Sequence, residues 1–234
     1  MTASRKISFA ALGIILAGFS LSAQAEWHFQ ITPYLWASNL DGTTTVAGRD
    51  VDFDASFSDL VSSLDAGGAL RFDAQAETWG LFFDGMVVKL KDDKQTAVGT
   101  LGFNVKQEII EGGISYRLSE QLNVYAGARY QKVDQDITLP VIGDRNIGDS
   151  WADGIIGLHW LPVDTDKWTL WLRGDIGAGD SDSVWLAAIG GGYKFNKTWS
   201  MLLAYRYLST DFESDQFKWD VDQSGLGIGL GISW

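Results

Sequence analysis

Ten charged residues fall on one side of regularly alternating segments: Arg71, Asp73, Asp84, Glu111, Arg117, Arg129, Asp153, Arg173, Asp175 and Arg206. Five are guanidinium groups and five are carboxylates. The two match in forked geometry, so side chains of these types sharing one enclosed space predict a hydrogen-bonded network of ion pairs. Lined by water instead, the same residues would form the selecting wall of a pore. Acid–base chemistry has fewer candidates. His28 and His159 are the two histidines, and neither lies in a Gly-x-Ser-x-Gly or His-Glu-x-x-His pattern. Paired carboxylates are too common in an acidic chain to mark an active site. Cysteine is absent, which excludes thiol nucleophiles and thiolate metal sites. Asp50, Asp52 and Asp54 would line one side of an extended segment and could hold a hard cation, but an EF-hand loop would need glycine at Ala55 and glutamate at Val61. The expectation is therefore no enzyme, no cofactor and no metal.

The elements that must position these residues read as strands. Apolar and polar residues alternate in runs of about ten to fifteen, near 27–39, 65–76, 79–91, 101–118, 121–137, 150–161, 168–178, 183–195, 198–211 and 218–234. Short connections at Glu77-Thr78, Ser119-Glu120, Pro162–Lys167 and Asn196-Lys197 alternate with longer ones at 41–64, 92–100, 138–149 and 210–217, while 179–182 is shorter than its class predicts. Ten strands with both ends of the chain on the short-turn side predict an all-β fold, an antiparallel up-and-down transmembrane barrel, with eight strands the alternative count. Parity breaks between Gln95 and Ile110, where Phe103 and Val105 fall out of phase with Ile114 and Tyr116, and a bulge there would reconcile the two halves. Within the long 41–64 connection, Ser56-x-x-Asp59 followed by Leu60, Val61 and Leu64 predicts a capped short helix over the barrel mouth.

The last strand is the most regular. From Gly225 to Trp234 small residues alternate with Leu226, Ile228, Leu230, Ile232 and Trp234, which gives one apolar row and one nearly bare row. Trp27, Trp79, Trp160, Trp168, Trp199 and Trp234 all stand beside a short turn or a chain end, where indoles would mark a membrane interface. A charged residue at Trp234 is expected to harm assembly far more than replacement of Trp219 in the loop-side half of the strand.

At the other end Arg5 and Lys6 precede an apolar stretch from Ile7 to Leu21, followed by Ala23-Gln24-Ala25. This predicts a signal peptide over 1–25, cleaved to leave one domain at 26–234. Removing the two cations takes the net charge from −12 to −14, which argues against nucleic acid as a partner. The loops are predominantly acidic.

With its leader, strand rhythm and terminal Gly225–Trp234 segment, the chain resembles the small bacterial outer-membrane barrels of the OmpA-type and OmpW-type superfamily. That resemblance implies a Gram-negative outer membrane as location, with lipid and the barrel-assembly machinery as partners, the latter through the C-terminal strand. It also implies a monomer with a plugged lumen. Outer-membrane barrel enzymes, by the same resemblance, hold catalytic groups on the outward-facing side, where neither histidine is placed. Three roles remain, ranked in this order: a structural or loop-mediated interaction barrel, then a narrow pore or carrier for small solutes, and last, against the expectation of no enzyme, a lipid- or peptide-modifying enzyme.

Overall fold

The computed structural model describes residues 26–46, 48–96, 99–139 and 143–234; the predicted signal peptide lies outside them. Its elements are β1 (His28–Val46), β2 (Arg49–Ala55), α1 (Phe57–Ser62), β3 (Leu64–Gln75), β4 (Trp79–Thr96), β5 (Gly99–Arg117), β6 (Leu122–Leu139), β7 (Gly143–Asp164), β8 (Trp168–Gly179), β9 (Ser183–Lys194), β10 (Trp199–Glu213) and β11 (Lys218–Ser233). Each wall strand pairs antiparallel with its sequence neighbours, and β11 pairs with β1, so β1 and β3–β11 close a ten-stranded barrel. The last rung is reciprocal: Phe29 N–H donates to the Trp234 carbonyl and Trp234 N–H to the Phe29 carbonyl, both at 3.0 Å. Closure removes the free edge that an open sheet would present.

Burial follows the period of two. On β7, Trp151, Asp153 and Ile155 are buried while Ala152, Gly154, Ile156 and Leu158 are exposed. The outward row is apolar around the whole wall, with Leu81, Ile114, Ile156, Ile176, Ile189, Leu203, Leu226 and Ile228 among its exposed members. A continuous exposed apolar surface of this extent is a contact surface for something other than water.

Two elements depart from expectation. The predicted loops at 92–100 and 138–149 are largely ladder, paired up to Thr96↔Gly99 and Leu139↔Gly143. A hairpin rising above an apolar belt needs no apolar row, so the alternation fades while backbone pairing continues. The predicted bulge is absent too, since β5 holds unbroken register with both neighbours from Gly102 to Tyr116. Val105 and Ile109 point inward because the lumen itself is apolar at that height; the Phe103 side chain lies outside the described residues. The register shifts that do occur lie at Leu64/Ala66 and Trp160/Val163.

The long first connection is also ordered. β1 runs on past the wall and turns back through Gly48, at φ 77°, a left-handed conformation that favours glycine, into β2, which pairs with Leu40–Val46. The predicted helix forms as α1, with Ser56 and Asp59 completing the capping box. The two serine hydrogen bonds hold the exposed Asp59 carboxyl below its usual range. The helix sits against β1 at the wall rather than across the mouth.

Candidate functional site

The lumen is filled from mid-height to its loop end. At mid-height Arg129 of β6, with no exposed surface, donates from Nε and Nη2 to Glu111 Oε2 at 3.0 and 2.8 Å, and from Nη2 to Asp175 Oδ2 at 3.0 Å. Arg173 reaches the same two acids, 2.6 Å from Glu111 Oε1 and 3.2 Å from Asp175 Oδ2. Tyr125 ties the group together: its hydroxyl accepts from Arg173 Nε at 2.7 Å and donates to Asp175 Oδ2 at 2.6 Å. Two cations and two anions leave this cluster neutral, the condition under which charges tolerate burial.

A second cluster lies alongside. Arg71 forks onto Asp73, with Nη2–Oδ1 at 2.8 Å, and approaches Asp84 Oδ2 at 3.7 Å. Tyr34 donates to Asp84 Oδ1 at 2.7 Å. The Phe82 ring joins the two clusters, with the Arg71 and Arg173 guanidiniums 5.4 and 5.5 Å from its centroid, distances at which the ring quadrupole attracts a cation. Arg206 makes no ion pair with a carboxylate among the described residues. Its guanidinium stacks 4.5 Å over Trp36, whose Nε1 donates to the Gly225 carbonyl at 3.2 Å. The bare row of β11 gives that indole its room.

Seven of the ten charged candidates thus meet, in Arg71, Asp73, Asp84, Glu111, Arg129, Arg173 and Asp175, with Arg206 beside them. Two stand apart. Asp153 is buried nearer the loop end, accepting from Ser181 N–H at 3.0 Å. Arg117 stands at the short-turn end opposite Asn123 and makes no ion pair with a described residue. His28 and His159 share the inward row near that same end, His159 with its ring 5.9 Å from Trp171.

Toward the loops the filling changes character. Gln107 and Gln223 exchange side-chain amide hydrogen bonds at 2.9 and 3.0 Å, Gln131 donates to Thr210, and Gln135 donates to Thr44. Among and above them Trp151 stacks on Phe212 at 4.4 Å, beside Phe217, Trp219, Val133 and Val221, in an apolar layer. Trp219 is therefore a packed residue, buried to 3% exposure, so that its replacement bears on the stability of the loop-side lumen, separately from the assembly defect expected at Trp234. The tyrosines, glutamines and aromatics escaped a reading that collected only charges, although their inward parity marks them as lumenal.

The six rim tryptophans stand at the short-turn end. Trp79 packs edge-on against Tyr116, Trp168 against Tyr193, and Phe29 lies between Trp27, Phe72 and Trp234. Trp79, Trp160, Trp168, Trp199 and Trp234 are exposed.

The loop end carries the acids. Asp50 and Asp52 accept from Thr45 and Thr43 across the β1–β2 hairpin at 2.9 and 2.7 Å, and no group of acidic or histidine side chains among the described residues is arranged to hold a metal ion. Asp211 faces Asp220 directly across β10 and β11. Partial burial, then the charges of Asp220 and Asp182, hold its carboxyl above the ordinary 3.8. A carboxyl raised in the folded state binds its proton more readily there than in the unfolded chain, so stability falls as pH rises above 3.8 through the raised value. Asp211→Asn is expected to flatten that part of the pH profile of urea unfolding; an unchanged slope would show that the acids do not strain this hairpin.

No protein-family model matches the chain, and no curated protein does. Among solved structures it is similar to Ail, the attachment invasion locus protein of Yersinia pestis, in complex with sucrose octasulfate (12% identity, 88% of this chain and 99% of that one, TM-score 0.46). It is also similar to Neisserial surface protein A (12%, 89% and 98%, TM-score 0.34) and to the CymD monoaromatic hydrocarbon channel (12%, 90% and 89%, TM-score 0.38). The barrel rests on the chain's own strand pairing and not on these likenesses.

Proposed function

We propose that the chain is an integral outer-membrane barrel with a closed lumen, serving a structural or loop-mediated role rather than conducting solutes. The carrying observation is Arg129, wholly buried between Glu111 and Asp175 at the middle of the barrel. A guanidinium in a water-filled pore would be hydrated. Here it is held by protein on two sides, and the glutamine pairs and the Trp151–Phe212 stack fill the passage above it.

The membrane part of the reading rests on the outward row. A wall that exposes Leu, Ile and Val all round, with every strand paired to another, suits lipid, where only helices and closed barrels satisfy the backbone. The aromatic rim at the short-turn end would lie at the periplasmic interface, and the acidic hairpins would face outward. Assembly through the terminal Gly225–Trp234 strand, a monomeric state, and the absence of nucleic-acid binding and of turnover on lipid or peptide belong to the same reading.

Detergent gels test insertion. A folded barrel closed between its first and last strands resists detergent until heated, so unheated and boiled samples should migrate differently and the chain should stay with membranes through alkaline carbonate. Identical mobility together with carbonate release would overturn the reading.

A further inference from the structure

The wall is not equally continuous all round. β1 pairs with β3 through only seven rungs, His28↔Gln75 to Tyr34↔Ala69, and its pairing with β2 begins at Leu40↔Ala55. Residues 35–39 of β1 therefore have no ladder partner among the described residues on that side, although they remain paired with β11 on the other. Opposite them Gly67 and Gly68 open the facing edge of β3; a side chain added at Gly68 would meet nothing within 4 Å. Helix α1 bridges the breach. Its first N–H, on Phe57, donates to Asn39 Oδ1 of β1 at 2.7 Å, and at its far end the Ser63 carbonyl accepts from Lys91 N–H of β4 at 2.6 Å.

Behind the helix lies a cavity of about 480 Å³, within the range of small-molecule sites, about 300–1,000 Å³. Its lining joins two worlds. Leu35, Leu226 and Ile228 belong to the outward row, whereas Leu90, Val105 and Trp219 belong to the buried filling of the lumen. Phe57, Leu60 and Val61 of α1 form its roof. No charged side chain among the described residues lines it. Gln107 is occupied by Gln223, and Trp219 Nε1 is a buried donor without a hydrogen-bond partner among the described residues.

We propose that this breach is a lateral binding site for a hydrocarbon chain, such as the tail of a fatty acid or of a lipid, which passes from the surrounding bilayer between β1 and β3 and comes to rest under α1 against Leu90, Val105 and Trp219. An aqueous solute would find no polar wall to replace its hydration, whereas a hydrocarbon chain loses nothing on leaving lipid and gains packing. The single free indole donor accommodates one acceptor on such a chain. The site lies beside the filled lumen and does not require it to open. It rests on the reading that the barrel sits in a bilayer.

Photo-crosslinking tests it. The refolded full chain is placed in dioleoylphosphatidylcholine vesicles with either a twelve-carbon fatty acid bearing a terminal diazirine or a phosphatidylcholine carrying that diazirine on its acyl chain, and labelled residues are mapped by mass spectrometry. Leu158 and Ile176, on the far wall, report insertion. Label on Leu90, Val105 or Trp219 is the expected result: from the free acid it identifies free chains as the source, and from the phospholipid alone it identifies membrane lipid. Gly68→Phe, and independently Val61→Trp, should abolish the lumenal label and keep the far-wall label, with heat-dependent gel mobility confirming that the variants fold. Far-wall label without lumenal label in the unaltered chain overturns the site alone, as does lumenal label that persists in a folded blocking variant. Loss of the far-wall label as well overturns the membrane reading and the site together.

Discussion

Replacing Arg129 by alanine is expected to destabilise the folded barrel by about 3–5 kcal/mol, because it leaves Glu111 and Asp175 buried with one cation fewer. Both acids are nearly inaccessible, and Arg173 alone would have to serve them. Arg129→Lys should recover only part of the loss, since one ammonium cannot reproduce the donors that Nε and Nη2 direct at two carboxylates. Urea unfolding of the refolded chain in vesicles measures both. A change within about 0.5 kcal/mol would show a solvated group, since exposed ion pairs are worth little.

The second large effect belongs to the apolar layer. Trp151 is 1% exposed and stacks on Phe212 with ring centroids 4.4 Å apart, in contact with Phe217. Trp151→Ala should cost about 3–5 kcal/mol, as large-to-small replacement of a buried aromatic does where the site cannot collapse. A strand wall fixed by its ladder on both sides has little freedom to do so. Ile176→Ala, on the outward row and the most exposed large apolar side chain among the described residues, supplies the contrast and should change unfolding far less. Equal effects at the two positions would mean that the loop-side lumen is not a packed layer.

The strands were legible because one face of each meets a uniform environment. From Trp199 to Tyr205 in β10 every second residue is outward and large, so two periods suffice to assign the face. The same rule fails at Val105, whose apolar side chain breaks the outward parity because the lumen at that height is filled with Leu40, Val133 and Trp219. Charge pairing was legible in kind but not in partner. Residues brought together across the barrel, such as Arg129 and Asp175, are 46 positions apart, and alternation fixes which face a residue takes without fixing its height relative to a strand two places away. Asp153 and Arg117 were drawn into the network for that reason. The β1–β3 breach has no local signature at all. It arises where β1 exchanges one partner for another, and that is decided by how β2 and α1 return to the wall.

Planar-bilayer recording tests the closed lumen most directly. The refolded chain should show at most small and infrequent conductance steps, because Arg129, the glutamine pairs and the Trp151 layer together fill the passage. Large, steady, cation-selective steps that shrink in Asp84→Asn, Glu111→Gln or Asp175→Asn would contradict it, and would make these carboxylates the lining of an open pore.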